Sequence, residues 1–134
     1  MMTGMVVATH GNLGAELLAS AQMIIGPVRN AVAVSITQGS SMEAIREAIM
    51  SAVAEVGKDK KSVLIVTDML GGTPANVSMT FLKPQAVEVL TGVNLPMLLK
   101  FFNSQENLGL DELAGILKSY GQQSIALASD YLQR

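Results

Sequence analysis

MVVATHGNLGAELLASAQMIIGP, residues 5–27, changes its hydrophobic period partway along. The first five residues, MVVAT, form a short apolar run with β-branched content, the pattern of a strand buried on both faces. Past Gly11-Asn12, the residues Leu13, Leu17, Leu18, Ala21, Ile24 and Ile25 recur at helical spacing, and Gly26-Pro27 stops the helix. A buried strand that feeds an amphipathic helix directly is the first half of a βαβ unit.

The same alternation continues outward. Residues 32–36, 62–67 and 87–91 match the first run in length and composition, so four parallel strands are expected. Between the second and third, Ile45, Ala48, Ile49, Ala52, Val53 and Val56 mark a helix, opened by a capping box at Ser40 and Glu43 and closed by Gly57. After the third strand, Thr73 is expected to cap a short helix that begins at Pro74 and runs to about Leu82. A helix from about Pro96 to Phe102, a loop rich in Asn, Ser and Gln, and a helix with Leu110, Leu113, Ala114 and Leu117 inward and Gly121 at its end follow. Residues 123–128 (QSIALA) read as a weak edge strand. The expected fold is an α/β three-layer sandwich in one domain spanning residues 1–134, with a mainly parallel sheet of order 2-1-3-4 and helices on both faces.

Composition narrows the chemistry. Among 134 residues there is no Cys and one His, which excludes disulfides and thiolate metal sites and leaves no zinc set. The net charge is −2 and the nine Lys and Arg are scattered, so nucleic acid is a poor partner. Mean hydropathy is +0.39, yet no apolar run reaches the ~18 residues of a spanning helix. With no basic start or small-residue cleavage site ahead of the first strand, a soluble, cytoplasmic protein is expected. Aromatics are only 4%, which argues against stacking of bases or sugars.

In open parallel sheets ligands bind beyond the carboxyl ends of the strands, where the winding reverses. For the order 2-1-3-4 that point lies between strands one and three, and the residues just past those strands are His10 and Asp68. An imidazole nitrogen is a fair nucleophile at neutral pH, and a carboxylate on its other nitrogen fixes the tautomer. Taken singly, each has a plainer role, since a lone His at a strand end often packs locally and an Asp there often ties down a turn. Together they point to covalent chemistry on His10. Gly71-Gly72-Thr73-Pro74 leads into a helix, so free N–H groups should face the crevice and suit phosphate oxygens, with the Thr73 hydroxyl as a further donor. The loop is neither a Walker A loop nor a GxGxxG fingerprint, which disfavours nucleotide binding. Met69 and Leu70 are candidate partner contacts or core residues, and Asn94 is read as structural, with a place beside the crevice as its alternative.

Thr9-His10-Gly11, Ile24-Ile25-Gly26-Pro27, the block from Thr67 to Asn76 (TDMLGGTPAN) and the block from Thr91 to Met97 (TGVNLPM) together resemble the mannose family of phosphotransferase-system (PTS) enzyme IIA domains, over essentially the whole chain. The resemblance implies a phosphoryl carrier that receives the group from the histidine phosphocarrier protein and donates it to a IIB domain for sugar uptake, with no cofactor or metal and no membrane contact except through permease components. It further implies phosphorylation of His10 on Nε2, orientation of the ring by Asp68, and Thr73 with Gly71 and Gly72 beside the phosphoryl group. Family members commonly carry serine at the position of Thr73 and aromatic residues near positions 12 and 70. Asn12 and Leu70 depart from that pattern, so the partner-docking surface, with Met69, should differ. The family also forms homodimers that exchange a C-terminal strand, for which residues 123–128 are the candidate.

Two other readings compete. A regulatory module with the same His10 chemistry and no transport role would look alike in sequence. A flavodoxin-like cofactor domain would need flavin-sandwiching aromatics and a Ser/Thr-rich phosphate loop after the first strand, and the chain has neither.

Overall fold

The computed structural model describes residues 3–104 and 108–132. Its sheet contains β1 (Thr3–His10), β2 (Ala31–Ile36), β3 (Ser62–Thr67) and β4 (Val87–Thr91), all parallel, in the order β2-β1-β3-β4. The expected order is therefore observed.

Alternation along the two central strands divides the core. Met5 and Val7 of β1 with Leu64 and Val66 of β3 face α1 (Leu13–Ile25), α4 (Leu95–Ser104) and α5 (Leu110–Gln123), around a fully buried Phe101. Val6, Ala8, Val63 and Ile65 point the other way, onto α2 (Met42–Val56) and α3 (Thr73–Met79). Both faces of β1 and β3 are thus covered, which is why those strands read as continuous apolar runs. No helix among the described residues is long and apolar enough to cross a membrane.

Close approach of α2 to the sheet depends on Gly4. A Cβ there would overlap the Val56 carbonyl oxygen and lie 2.6 Å from the Val56 Cβ, and neither atom can move without shifting the end of α2. Gly4→Ala is expected to destabilise the fold by about 1–3 kcal/mol, as overpacking does. Urea unfolding checks this, as a lower midpoint at unchanged slope.

Several expected boundaries move. The cap of α2 is Ser41, which accepts from the Ala44 N–H, while Ser40 pairs with Thr37 at 2.8 Å across the preceding turn, so the box at Ser40 is not formed. α3 starts at Thr73, one residue early, because the cap is Gly72, whose φ of 84° a threonine would resist. Regular helix there ends at Met79, followed by tight turns through Leu82. Gly121 does not end α5. It lies inside the helix with its carbonyl accepting from Asn94 Nδ2, and a Cβ would sit 2.8 Å from the Met97 Cε. The loop expected after α4 is shorter, since Asn103 and Ser104 are helical, and its Gln105, Glu106 and Asn107 lie outside the described residues.

The edge strand at 123–128 is not formed. Gln123 closes α5, the N–H groups of Ser124 and Ile125 are taken by Tyr120 and Gln122 carbonyls, and α6 (Ala128–Leu132) follows. Turn bonds thus take two of the donors that a strand would offer to β4.

Candidate functional site

His10 is the last residue of β1 and Asp68 the first beyond β3, so neighbouring parallel strands deliver to one crevice two side chains that are 58 positions apart. Asp68 Oδ2 accepts twice from the same residue, at 3.0 Å from the His10 backbone N–H and at 2.8 Å from ring Nδ1. The His10 side chain is 51% exposed and that of Asp68 only 13%. The acid is therefore a fixed support and the ring the reachable part.

Burial pushes the Asp68 carboxyl up, but the hydrogen bonds from the His10 ring and backbone N–H, with the charge of the ring, outweigh it and hold the carboxyl below its ordinary value. A depressed carboxyl pKa adds stability that is complete above the unfolded value and disappears as pH falls through the folded one. Acid unfolding of the wild type and Asp68→Asn, followed at pH values from about 7 down to about 3, should show the stability gap between them closing below about pH 4. A gap that widens on acidification would reverse the sign of the Asp68 contribution.

Since an ionised carboxylate only accepts, it selects the tautomer of the neutral ring in which Nδ1 carries the proton and Nε2 has the lone pair. The Cε1–Nε2 edge lies over Gly72, where a Cβ would come 3.1 Å from Cε1 and 3.3 Å from Nε2. Gly72 thus supplies both the positive φ of the turn and clearance beside Nε2. The N–H groups of Gly71, Gly72 and Thr73 have no hydrogen-bond partner among the described residues.

Thr73 makes no capping bond, and its side chain lines, with His10 and Gly11, a crevice of about 630 Å³. The far wall is the β2–α2 turn, Thr37, Gln38, Gly39 and Ser40, continued by Met42. Sequence reasoning passed over this wall. The signal was available, because in the order 2-1-3-4 the polar turn after β2 must flank the end of β1. No Lys or Arg lines the crevice.

Of the candidate partner contacts, Met69 and Leu70 are 53% and 71% exposed, so neither is core, and Asn12 is exposed at the start of α1 without capping it. Asn94 is not part of this crevice. Its side chain caps α4 through the Met97 N–H and ties α5 through the Gly121 carbonyl.

Residues 4–117 match the family model EIIA-man, described as PTS system fructose IIA component. The PTS system fructose-specific EIIA component of Bacillus subtilis is 31% identical over 99% of this chain and 91% of its own length. The PTS system mannose-specific EIIAB component of Escherichia coli K12 is 28% identical over 93% of this chain, which spans only 39% of that longer protein. Among solved structures, a phosphotransferase system component EIIA from Streptococcus agalactiae superimposes with a TM-score of 0.87 at 29% identity, covering 96% of this chain and 99% of that one.

Proposed function

Because the chain belongs to the PTS fructose/mannose IIA family, whose members are phosphotransferases, we propose that it carries a phosphoryl group on Nε2 of His10, accepted from the histidine phosphocarrier protein and donated to a IIB component during sugar uptake. The observation that carries the proposal is the 2.8 Å bond between His10 Nδ1 and Asp68 Oδ2 at the open end of the sheet.

The Nε2 lone pair attacks the phosphorus of the donor's phosphohistidine in line, the new P–N bond forms as the donor's P–N bond breaks, and the donor ring leaves with the electron pair. No proton has to cross between the proteins, and Nδ1–H stays on Asp68, whose carboxylate offsets the positive charge that develops on the ring. Such a transfer needs alignment and stabilised oxygens more than acid or base groups. The N–H groups around Gly72 and the Thr73 hydroxyl suit those oxygens. The lack of Lys and Arg in the crevice also fits a carrier, since strong holding would slow release to the next protein. Exposed Met69, Leu70 and Asn12 are the surface offered to the partners.

A homodimer accords with the C-terminal segment, where Ile125, Leu127 and Leu132 are 78%, 66% and 79% exposed and a second copy would cover them. No membrane partner is required except the permease, and the site calls for no cofactor. The chain as a whole reads as one IIA domain in the cytoplasm.

The test is incubation with phosphoenolpyruvate, enzyme I and the histidine phosphocarrier protein, followed by intact-mass measurement. An acid-labile mass increase of one phosphoryl group is expected. A wild-type chain that stays unmodified while the phosphocarrier protein is fully charged would sink the proposal.

A further inference from the structure

The hydroxyl of Thr9, the residue just before His10, is completely buried and closes the loop of residues 10–13: Oγ1 accepts from the Gly14 N–H at 2.8 Å and lies 3.3 Å from the Gly11 carbonyl, to which it donates. We propose that Thr9 is a positioning residue for phosphoryl transfer, acting through the backbone of this loop to hold the His10 ring in line. The proposal rests on the reading of His10 as the phosphoryl acceptor.

Three features make this more than a helix cap. Asn12 occupies the usual capping position of α1 and makes no side-chain bond, so the acceptor for the first turn comes from inside β1, across the loop that holds His10. Among the described residues, no other side chain bonds the backbone of residues 11–14. Gly14 is also fitted to the clasp, because a Cβ there would lie 2.9 Å from the Val7 carbonyl oxygen and 3.3 Å from Thr9 Oγ1, so only glycine lets α1 come close enough to bond.

The loop is then fixed at three points: the Gly11 N–H on the Ile36 carbonyl at 2.8 Å, the Gly14 N–H on Thr9, and the His10 N–H on Asp68. Asp68 sets the ring relative to β3, and the Thr9 clasp sets the backbone that bears the ring. Without the clasp, residues 10–13 can shift, and because Nε2 sits at the far edge of the ring with Gly72 beside it, small backbone shifts become misalignment at the attacking atom. Misplacement of this kind costs rate steeply.

Thr9→Val keeps the shape and removes the hydroxyl, whereas Thr9→Ser keeps the hydroxyl. Transfer from the phosphorylated phosphocarrier protein is measured well below the melting transition of each variant, alongside nitrogen-15 NMR of the His10 ring. Thr9→Val should transfer about 10- to 100-fold more slowly, as loss of near-attack geometry does, with His10 ring signals broadened or shifted toward mixed tautomers, and Thr9→Ser should restore both. Should Thr9→Val not fold, Thr9→Ala carries the same expectation. A variant with a lowered melting temperature but wild-type rate and ring signals would reduce Thr9 to a structural role and overturn the proposal. If the wild type takes no phosphoryl group at all, the functional reading fails instead, and the NMR comparison still decides whether Thr9 holds the ring.

Discussion

His10→Ala should lose the phosphoryl adduct completely while unfolding almost as the wild type does. The chain has one imidazole, and no Cys exists to substitute as a nucleophile. Removing the ring takes away a side chain that is half in solvent and one hydrogen bond to Asp68, while the backbone N–H of residue 10 still bonds Asp68 Oδ2. With the ring half in solvent, the cost to stability should therefore stay at the low end of the about 1.5–3 kcal/mol of a hydrogen bond to a charged group. Intact mass after charging by the phosphocarrier protein reads the first effect, and urea unfolding the second. An acid-labile adduct persisting on His10→Ala would move the chemistry to another residue.

Asp68→Ala should leave the adduct attainable but slow to form. In the proposed transfer the carboxylate, 2.8 Å from Nδ1, does two things for the ring: it holds the proton on Nδ1, so that the lone pair is on Nε2, and it offsets the positive charge that the ring would acquire as the P–N bond forms. A charge-assisted hydrogen bond of this type is worth about 1.5–3 kcal/mol, which corresponds to roughly a 10- to 100-fold loss in transfer rate. Asp68→Asn, which keeps an acceptor oxygen but no charge, should fall between the two. Single-turnover rates from the phosphorylated phosphocarrier protein separate the three. Unaltered transfer by Asp68→Ala would take this residue out of the mechanism and leave its bonds to His10 as turn-building contacts.

Both effects trace to residues that could be picked out before any coordinates. His10 and Asp68 each follow directly after an apolar strand run, and once the order 2-1-3-4 is assumed the topology brings those two strand ends together. Thr9 and the wall from Thr37 to Met42 were not picked out. Their roles depend on how closely α1 and α2 dock and on which backbone N–H is left facing a hydroxyl, and a string of residue types does not record that. The same limit explains the serines before α2. Ser40 and Ser41 are both suited to capping, and the one-residue choice was made by the turn, which gives Ser40 to Thr37.

Hydrophobic period and punctuation were enough for the sequence alone to settle four parallel strands, the helices between them and the strand-end address of His10, but not that the edge strands β2 and β4 are only partly buried. Those signals are local, because a residue's preference for a pleated or helical face depends on neighbours a few positions away. Only the tertiary structure decided the 2.8 Å contact of Nδ1 with Asp68, the clearance that Gly72 gives the ring edge, and the turn and short helix formed where residues 123–128 had read as a strand. Each of these depends on which group wins a hydrogen bond or a volume of space once distant segments meet. That competition has no signature in the residues on either side of it.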